Sequence, residues 1–277
     1  MLKIRQIACK TILNKSDLSD FTLNCYVGCT HKCLYCYARY MKKFKDRPQD
    51  WGDFVDVKVN APEVLTNQLR KIKKPGEVFM SSICDAWQPL EAKYRLSQAC
   101  LKILIESGFR VSILTKSSLI LRDLDLLASY KTTSLGMTIT TLTPDLQVAL
   151  EPYASAAEDR INTLKKANEK GIKTWVFVGP LIPEFTDTEA NLEGLFRALE
   201  GLKLDKIYVD RLNPRWGVLA TLKKGLANRR EDYMKLRLML YKATQPRQYA
   251  QYSQQLKART QVIASAFGLS NKLTFCF

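Results

Sequence analysis

Short apolar runs and amphipathic stretches take turns between residues 78 and 210. The runs at 78–83, 111–115, 134–141, 172–178 and 206–209 are rich in β-branched and aromatic residues, which predicts strands. In 91–107, Leu96, Cys100, Ile103 and Leu104 recur at helical spacing, and Gly108 marks the stop. Residues 156–170 predict a helix opened by a Ser155–Glu158 capping box, striped by Ile161 and Leu164 and closed by Gly171. Leu192, Leu195, Phe196 and Leu199 stripe another over 187–200 before Gly201, and Leu121, Leu124 and Leu127 predict one over 119–130. Adding 21–26 as a first strand gives about six strands alternating with helices, the pattern of a parallel sheet built from βαβ units. Periodicity does not say whether that sheet closes. After residue 223 the chain reads as helical, broken at Pro246, with Tyr233, Tyr241, Tyr249 and Tyr252 set among Lys and Arg.

Length and composition narrow this picture. A chain of 277 residues buries roughly three quarters of its unfolded surface, so one large domain with an appended element is expected. No apolar run approaches the ~18–20 residues of a membrane span, and the opening MLKIRQIACK lacks a secretory h-region. A cytoplasmic location is therefore expected. There the eight cysteines read as reduced thiols, metal ligands or catalytic groups, the disulfides of intracellular hyperthermophile proteins being the exception left open. His31 is the one histidine, which excludes a Ser-His triad elsewhere and any site with two histidine ligands.

The formal charge of +16 favours polyanionic partners, with an inert basic surface as the alternative. It is unevenly placed. Residues 211–277 carry 13 Lys and Arg against Glu231 and Asp232, whereas residues 1–210 are nearly balanced. The shift falls near Leu212, Asn213 and Pro214. A smaller basic cluster, Arg39, Lys42, Lys43, Lys45 and Arg47, follows the first cysteines.

Those cysteines carry the strongest chemical signal. Cys29, Cys33 and Cys36 form a C-x3-C-x2-C triplet just after the first predicted strand, with Gly28 permitting a tight loop. Soft thiolates suit an iron–sulfur cluster or zinc. Three ligands on a four-iron cluster leave one iron open to another molecule. The rival is structural zinc with Cys25 or His31 as fourth ligand, although no second ligand couple lies downstream.

The stretch CYVGCTHKCLYCYAR resembles the signature of the radical S-adenosylmethionine (radical SAM) superfamily, including the aromatic Tyr35 before the last cysteine. More narrowly, Asn24, Tyr26, Gly28, Cys29, His31, Cys33, Tyr35, Cys36 and Tyr37 are similar to the motif of its spore photoproduct lyase-related branch. Cys25 departs from it, standing where many relatives carry proline. The similarity continues through residues 81–97, Glu151-Pro152 with Glu158 and Arg160, 179–187 and 211–219. The resemblance implies a [4Fe-4S] cluster on Cys29, Cys33 and Cys36, S-adenosylmethionine on its open iron, and a 5′-deoxyadenosyl radical that abstracts hydrogen from a substrate. It also implies a reductant such as ferredoxin or flavodoxin. The implied fold is α/β, a partial (β/α)6 TIM-like barrel over 21–219, in agreement with the strand count. It follows an N-terminal segment 1–20 and precedes a basic, mainly helical C-terminal extension over 220–277.

Further site residues come from the same comparison. Ser81, Ser82 and Asp85 stand where the superfamily holds the cofactor's amino group, an ammonium wanting acceptors; a capped turn is the plain alternative. In the lyase a cysteine near Cys84 returns hydrogen to the product radical, assisted by tyrosines at the positions of Tyr35 and Tyr37. The Asp85 anchor aligns that cysteine nearer Ser82, so Cys84 is offset and a buried thiol is the other reading. Tyr35, as the signature's aromatic residue, is expected at the cofactor as well. Thr138 and Thr140 share one strand face and are candidates for the ribose hydroxyls, and Asn213 with Pro214 for the adenine. Glu151 either contacts cofactor or caps. Cys100 reads as core, Cys9 and Cys276 as packing near the termini, and His31 as a donor that orders the loop.

Three functions remain. The first is a radical SAM enzyme, lyase or transferase, acting on nucleic acid. Its basic C-terminal third would hold phosphates and stack bases, and its target would be unpaired or flipped out. The second keeps the chemistry on a protein side chain, peptide or small molecule. The third is a zinc- or cluster-containing nucleic-acid-binding protein without catalysis.

Overall fold

The computed structural model describes residues 2–44, 47–227 and 232–277. Lys45, Arg229, Arg230 and Glu231 from the charge pattern lie outside the described residues. The chain begins with β1 (Lys3–Ile7), the hairpin β2 (Leu13–Ser16) and β3 (Ser19–Leu23), and the short β4 (Tyr26–Val27). The cysteine loop follows, then a 3₁₀ turn over Tyr37–Phe44, β5 (Phe54–Lys58) and α1 (Ala61–Leu69). Alternation then sets in with β6 (Glu77–Met80), α2 (Glu91–Tyr94), α3 (Leu96–Glu106), β7 (Arg110–Thr115) and α4 (Leu124–Ala128). It continues through β8 (Thr133–Ile139), α5 (Pro144–Leu150), α6 (Ala157–Glu169), β9 (Lys173–Leu181), α7 (Glu189–Leu199) and β10 (Leu204–Arg211). The last part holds α8 (Val218–Leu226), α9 (Tyr233–Thr244), α10 (Pro246–Ser265) and β11 (Leu273–Phe275).

One eight-stranded sheet runs in the order β11-β10-β9-β8-β7-β6-β3-β2. Every neighbouring pair is parallel except the β2–β3 hairpin. The six strands read from the pattern are its centre, in sequence order, and β2 and β11 are its edges. It is thus a partial, open TIM-like barrel. A second sheet, β1-β5-β4, stands beside it.

Burial follows strand alternation. Val78, Val111, Ile113, Leu135, Met137, Val176, Val178 and Ile207 are at most 1% exposed and form one core with Leu104, Leu164 and Leu195 of the flanking helices. Full burial of such side chains is worth about 1.5–3 kcal/mol each, which is why β1, with four of its five residues exposed, leaves so weak a sequence signal.

The structure corrects several boundaries. The strand expected over 21–26 ends at Leu23, and Tyr26 turns away to pair with Val57 of β5. The one expected over 78–83 ends at Met80, because Ser81 has φ of 79°. The helix over 91–107 is split at Arg95, whose φ is 51°. The Ser155 hydroxyl meets Ser118 instead of capping α6, so the capping box does not form. Pro246 starts α10 rather than only ending a helix. The basic C-terminal part is helical as expected, yet α10 packs along α7 and β11 extends the main sheet.

Candidate functional site

The cysteine loop starts where Gly28 adopts φ of 96°, with the Phe54 carbonyl so close that any Cβ would overlap it. Left-handed backbone pressed against a neighbouring strand admits glycine only. Gln88, fully buried, anchors the loop from outside: its Oε1 accepts from the Thr30 N–H at 2.9 Å and its Nε2 donates to the Gly28 carbonyl at 3.2 Å. Arg39 Nη2 donates to the Cys33 carbonyl at 3.1 Å, and Leu34 N–H to the Leu150 carbonyl at 2.9 Å. Leu34 also fills a notch at Gly225, where a Cβ would overlap its side chain. Cys33 and Tyr35 join Leu222, Leu226, Leu236 and Met239 in a second small core, so α8 and α9 roof the loop.

Cys29 and Cys33 are buried and Cys36 is half-buried. Burial pushes the Cys29 thiol well up and that of Cys33 to about 12, so a metal must supply the charge that displaces each proton. Among the described residues, no three His, Cys, Asp or Glu side chains are gathered to hold one metal ion. Of the two fourth ligands considered for zinc, the Cys25 sulfur lies 3.7 Å from that of buried Cys100, and His31 faces Asp85 Oδ2 through Nδ1 at 3.4 Å, which leaves Nε2 open. A four-iron cube takes each thiolate on a different corner and needs no convergence on one point. The donor set fits the cluster better than zinc.

Beside this loop lies the turn after β6. Asp85 Oδ1 accepts from Trp87 N–H at 2.9 Å and Thr115 Oγ1 at 2.7 Å, while Oδ2 accepts from Lys116 N–H at 2.8 Å and faces His31. With four neighbours, this carboxylate holds the turn together. Ser81 Oγ accepts from the Ala86 N–H at 3.0 Å, and Ser82 Oγ from Asn24 at 2.8 Å. The Tyr37 hydroxyl donates to the Ser82 carbonyl, tying the two loops. Cys84 is 4% exposed and its thiol points at the Tyr26 carbonyl, 3.2 Å away; burial raises it to about 12.

Tyr35 enters a buried polar network. Its hydroxyl donates to Glu151 and lies 3.2 Å from Thr140 Oγ1, which in turn lies 3.0 Å from Glu151 Oε1 and 2.8 Å from the Gly179 carbonyl. Arg160, fully buried, pairs with Glu151 and donates to the Thr138 carbonyl at 2.9 Å. Burial alone would push the Glu151 carboxyl up, but Arg160 and Lys116 outweigh it and hold it below the ordinary range. Thr138 is buried beside this network, and Asn213 is exposed after the end of β10.

Lys116 escaped the sequence reading. Its ammonium stands 5.8 Å from the Tyr35 ring centroid. Burial opposes its charge, yet Cys33, Glu151 and Asp85 outweigh that and raise its pKa. The one available signal was position: a lysine directly after the inner end of a predicted strand. Gln88 carried no local signal at all.

Comparison with known proteins adds to this geometry. The profile of the Radical SAM superfamily matches residues 23–193. An uncharacterized protein of Methanocaldococcus jannaschii is 37% identical over 190 residues, 68% of this chain and 71% of that one. An uncharacterized protein of Mycobacterium tuberculosis is 30% identical over 205 residues, and the match spans 60% of its length. A radical SAM Nα-GlyT isomerase of Pseudomonas phage M6 is 25% identical over 181 residues, 65% of this chain and 37% of that protein. Among solved structures, a cysteine-to-serine variant of spore photoproduct lyase aligns with a TM-score of 0.67 at 16% identity, covering 99% of this chain and 82% of that one. A cysteine-to-alanine variant with dinucleoside spore photoproduct aligns at 0.61 and 18% identity, covering 81% and 66%.

Proposed function

The chain belongs to the radical SAM superfamily and is an enzyme, and from that premise we propose a radical reaction on nucleic acid. Cys29, Cys33 and Cys36 would hold a [4Fe-4S] cluster, and the chemistry it would supply when bound is one-electron reductive cleavage of S-adenosylmethionine. The observation that carries this is the roofed loop with three thiols, beside which the Lys116 ammonium stands 5.8 Å from the Tyr35 ring centroid.

Each neighbouring residue has a task. Lys116 is the cation available to the cofactor's carboxylate. Asp85 acts by position, holding His31 and the Lys116 backbone, while the turn it caps presents Ser81 and Ser82 to the amino group. Glu151 and Arg160 orient the Tyr35 hydroxyl beside Thr140, so Tyr35 offers a fixed ring to the cofactor. Thr138 and Thr140 serve the ribose and Asn213 the adenine. Tyr37 joins the cluster loop to Ser82. Cys84, turned onto a backbone carbonyl, fits packing better than hydrogen return. Residues 21–219 form the catalytic unit and 220–277 its basic roof.

The substrate reading rests on that roof. Lys223, Lys224, Lys235, Arg237 and Arg247 are exposed, and Tyr233 and Tyr241 are exposed at 60% and 55% among them. Phosphates suit the cations, and unpaired bases suit the rings. The dinucleoside bound by the lyase of like fold agrees with this chemistry. No helix among the described residues is long and apolar enough to cross a membrane; a reducing cytoplasm with ferredoxin or flavodoxin suits free thiols and an electron-fed cluster.

The experiment is reductive turnover of the anaerobically reconstituted chain in D2O with candidate nucleic acids, proteins and peptides. 5′-Deoxyadenosine is expected to rise with nucleic acid, and solvent deuterium to enter the nucleic-acid product where an exchangeable donor quenches its radical. A rise with protein or peptide alone assigns the second substrate class, and a colourless protein holding one zinc removes the chemistry.

A further inference from the structure

The helix α9 is apolar on two opposite sides. Leu236, Met239 and Ala243 are buried beneath it, and the first two share the small core of Cys33 and Tyr35. On the outer side Met234, Leu238 and Tyr241 are exposed at 60%, 44% and 55%. At helical spacing these three positions fall within about 60° of arc, facing away from the buried stripe. A surface helix ordinarily turns one apolar stripe inward and a polar face outward, and one that is apolar all round is covered. The outer stripe is therefore a contact surface.

Its rim indicates the partner. α8 and α9 contain Lys223, Lys224, Lys235, Arg237 and Lys242 and no acid. Asp232, which reaches Lys235 at 3.3 Å, is itself buried, and Glu184 pairs with Lys242, so the surroundings of the stripe stay positive. A second copy of the chain would set these cations against themselves. Phosphates do not suit aliphatic Met234 and Leu238, so the stripe lies outside the contacts given to nucleic acid. An apolar centre within a cationic rim fits a protein patch of apolar side chains ringed by carboxylates.

Position indicates what such a partner brings. A single helix, about 10–12 Å across with its side chains, separates the stripe from the core that holds Cys33. A stripe of three large side chains is small for a lasting complex, and electron-transfer encounters are among the smallest protein interfaces. Resting on the radical reading above, we propose that the outer stripe of α9 is the docking site of an acidic one-electron carrier protein, of flavin or iron–sulfur type. One electron leaves the reduced carrier and enters the cluster, so the carrier is oxidised and the cluster reduced by one each, and no bond in this chain changes.

The test mixes the reconstituted full chain with reduced flavodoxin or, separately, with dithionite, and follows the loss of cluster absorbance. With flavodoxin the loss is expected to be about tenfold slower in the double variant Met234→Gln, Leu238→Gln, and slower in both proteins as salt rises. With dithionite the two proteins are expected to match. Calorimetry is expected to show flavodoxin binding weakened about as much as the rate. Both side chains are exposed, and the urea midpoint reports that the variant is folded. Equal rates with flavodoxin in the two proteins, or flavodoxin that neither binds nor reduces while dithionite does, overturn the docking site and leave the radical reading standing. A chain that takes up no iron removes the radical reading and the docking site with it. Two further results also overturn the site by naming another occupant: loss of single-strand binding in the variant with flavodoxin reduction unchanged assigns the stripe to nucleic acid, and a dimer in sedimentation that the variant dissociates assigns it to a second copy.

Discussion

Asp210 shows what single residues contribute beyond the cysteine motif. It stands at the bulge where β10 slips register against β9, and burial raises its carboxyl to about 6. A carboxyl held above its ordinary 3.8 binds its proton more tightly folded than unfolded, so this group's contribution to stability is full below about pH 4 and is lost by about pH 6. The decline is at most about 3 kcal/mol and less at this part-exposed group. Asp210→Asn is expected to abolish it, read as a wild-type-minus-variant urea stability difference that changes between pH 4 and 6 and is flat above. Nothing near Asp210 in the sequence announces this, since the burial comes from strands and a terminus distant along the chain. Cys29, Cys33 and Cys36 were legible for the opposite reason: their meaning lies in spacing within eight residues. Lys116, Glu151 and Arg160 acquire theirs only when three separate segments meet at Tyr35.

Elements were legible in proportion to how their burial alternates. The six central strands have one face under helices and so betray their period; β1, β2 and β11 lie at sheet edges, and β11 has three part-exposed residues. β5 is almost wholly buried on both sides and shows no alternation to read. Contacts between elements were hidden altogether, as with α8 on the cysteine loop. Gly225→Val is expected to press on Leu34 and lower the iron bound per chain after reconstitution by several-fold, while the compensating Leu34→Ala in the same chain restores most of it, because the overlap is with the far end of that side chain. Iron and sulfide assays of the three variants check this; unchanged iron in Gly225→Val would mean that the roof does not touch the loop.

For the molecule as a whole, charge was legible and its disposition was not. Of the four C-terminal tyrosines, Tyr249 and Tyr252 are buried and stacked 5.7 Å apart, with Arg211 over the Tyr249 ring at 4.3 Å. They are packing residues, and only Tyr233 and Tyr241 face outward. If the roof binds nucleic acid through phosphates, affinity for a single strand falls with salt, by about 0.7 in the log–log slope per phosphate neutralised. Replacing Lys223, Lys224 and Arg237 by Gln is expected to flatten that slope by about 2, measured by fluorescence anisotropy from 50 to 300 mM salt (about 0.05–0.3 M). An unaltered slope would move the contact to another face. The notch that Gly225 offers Leu34 has a consequence in time. During synthesis the thiols leave the ribosome about 190 residues ahead of the helix that covers them, a lead of about 10–40 s at ordinary elongation rates. For that interval the loop lies bare to whatever delivers iron and to whatever oxidises thiols, and the last 60 residues of the chain end both exposures together.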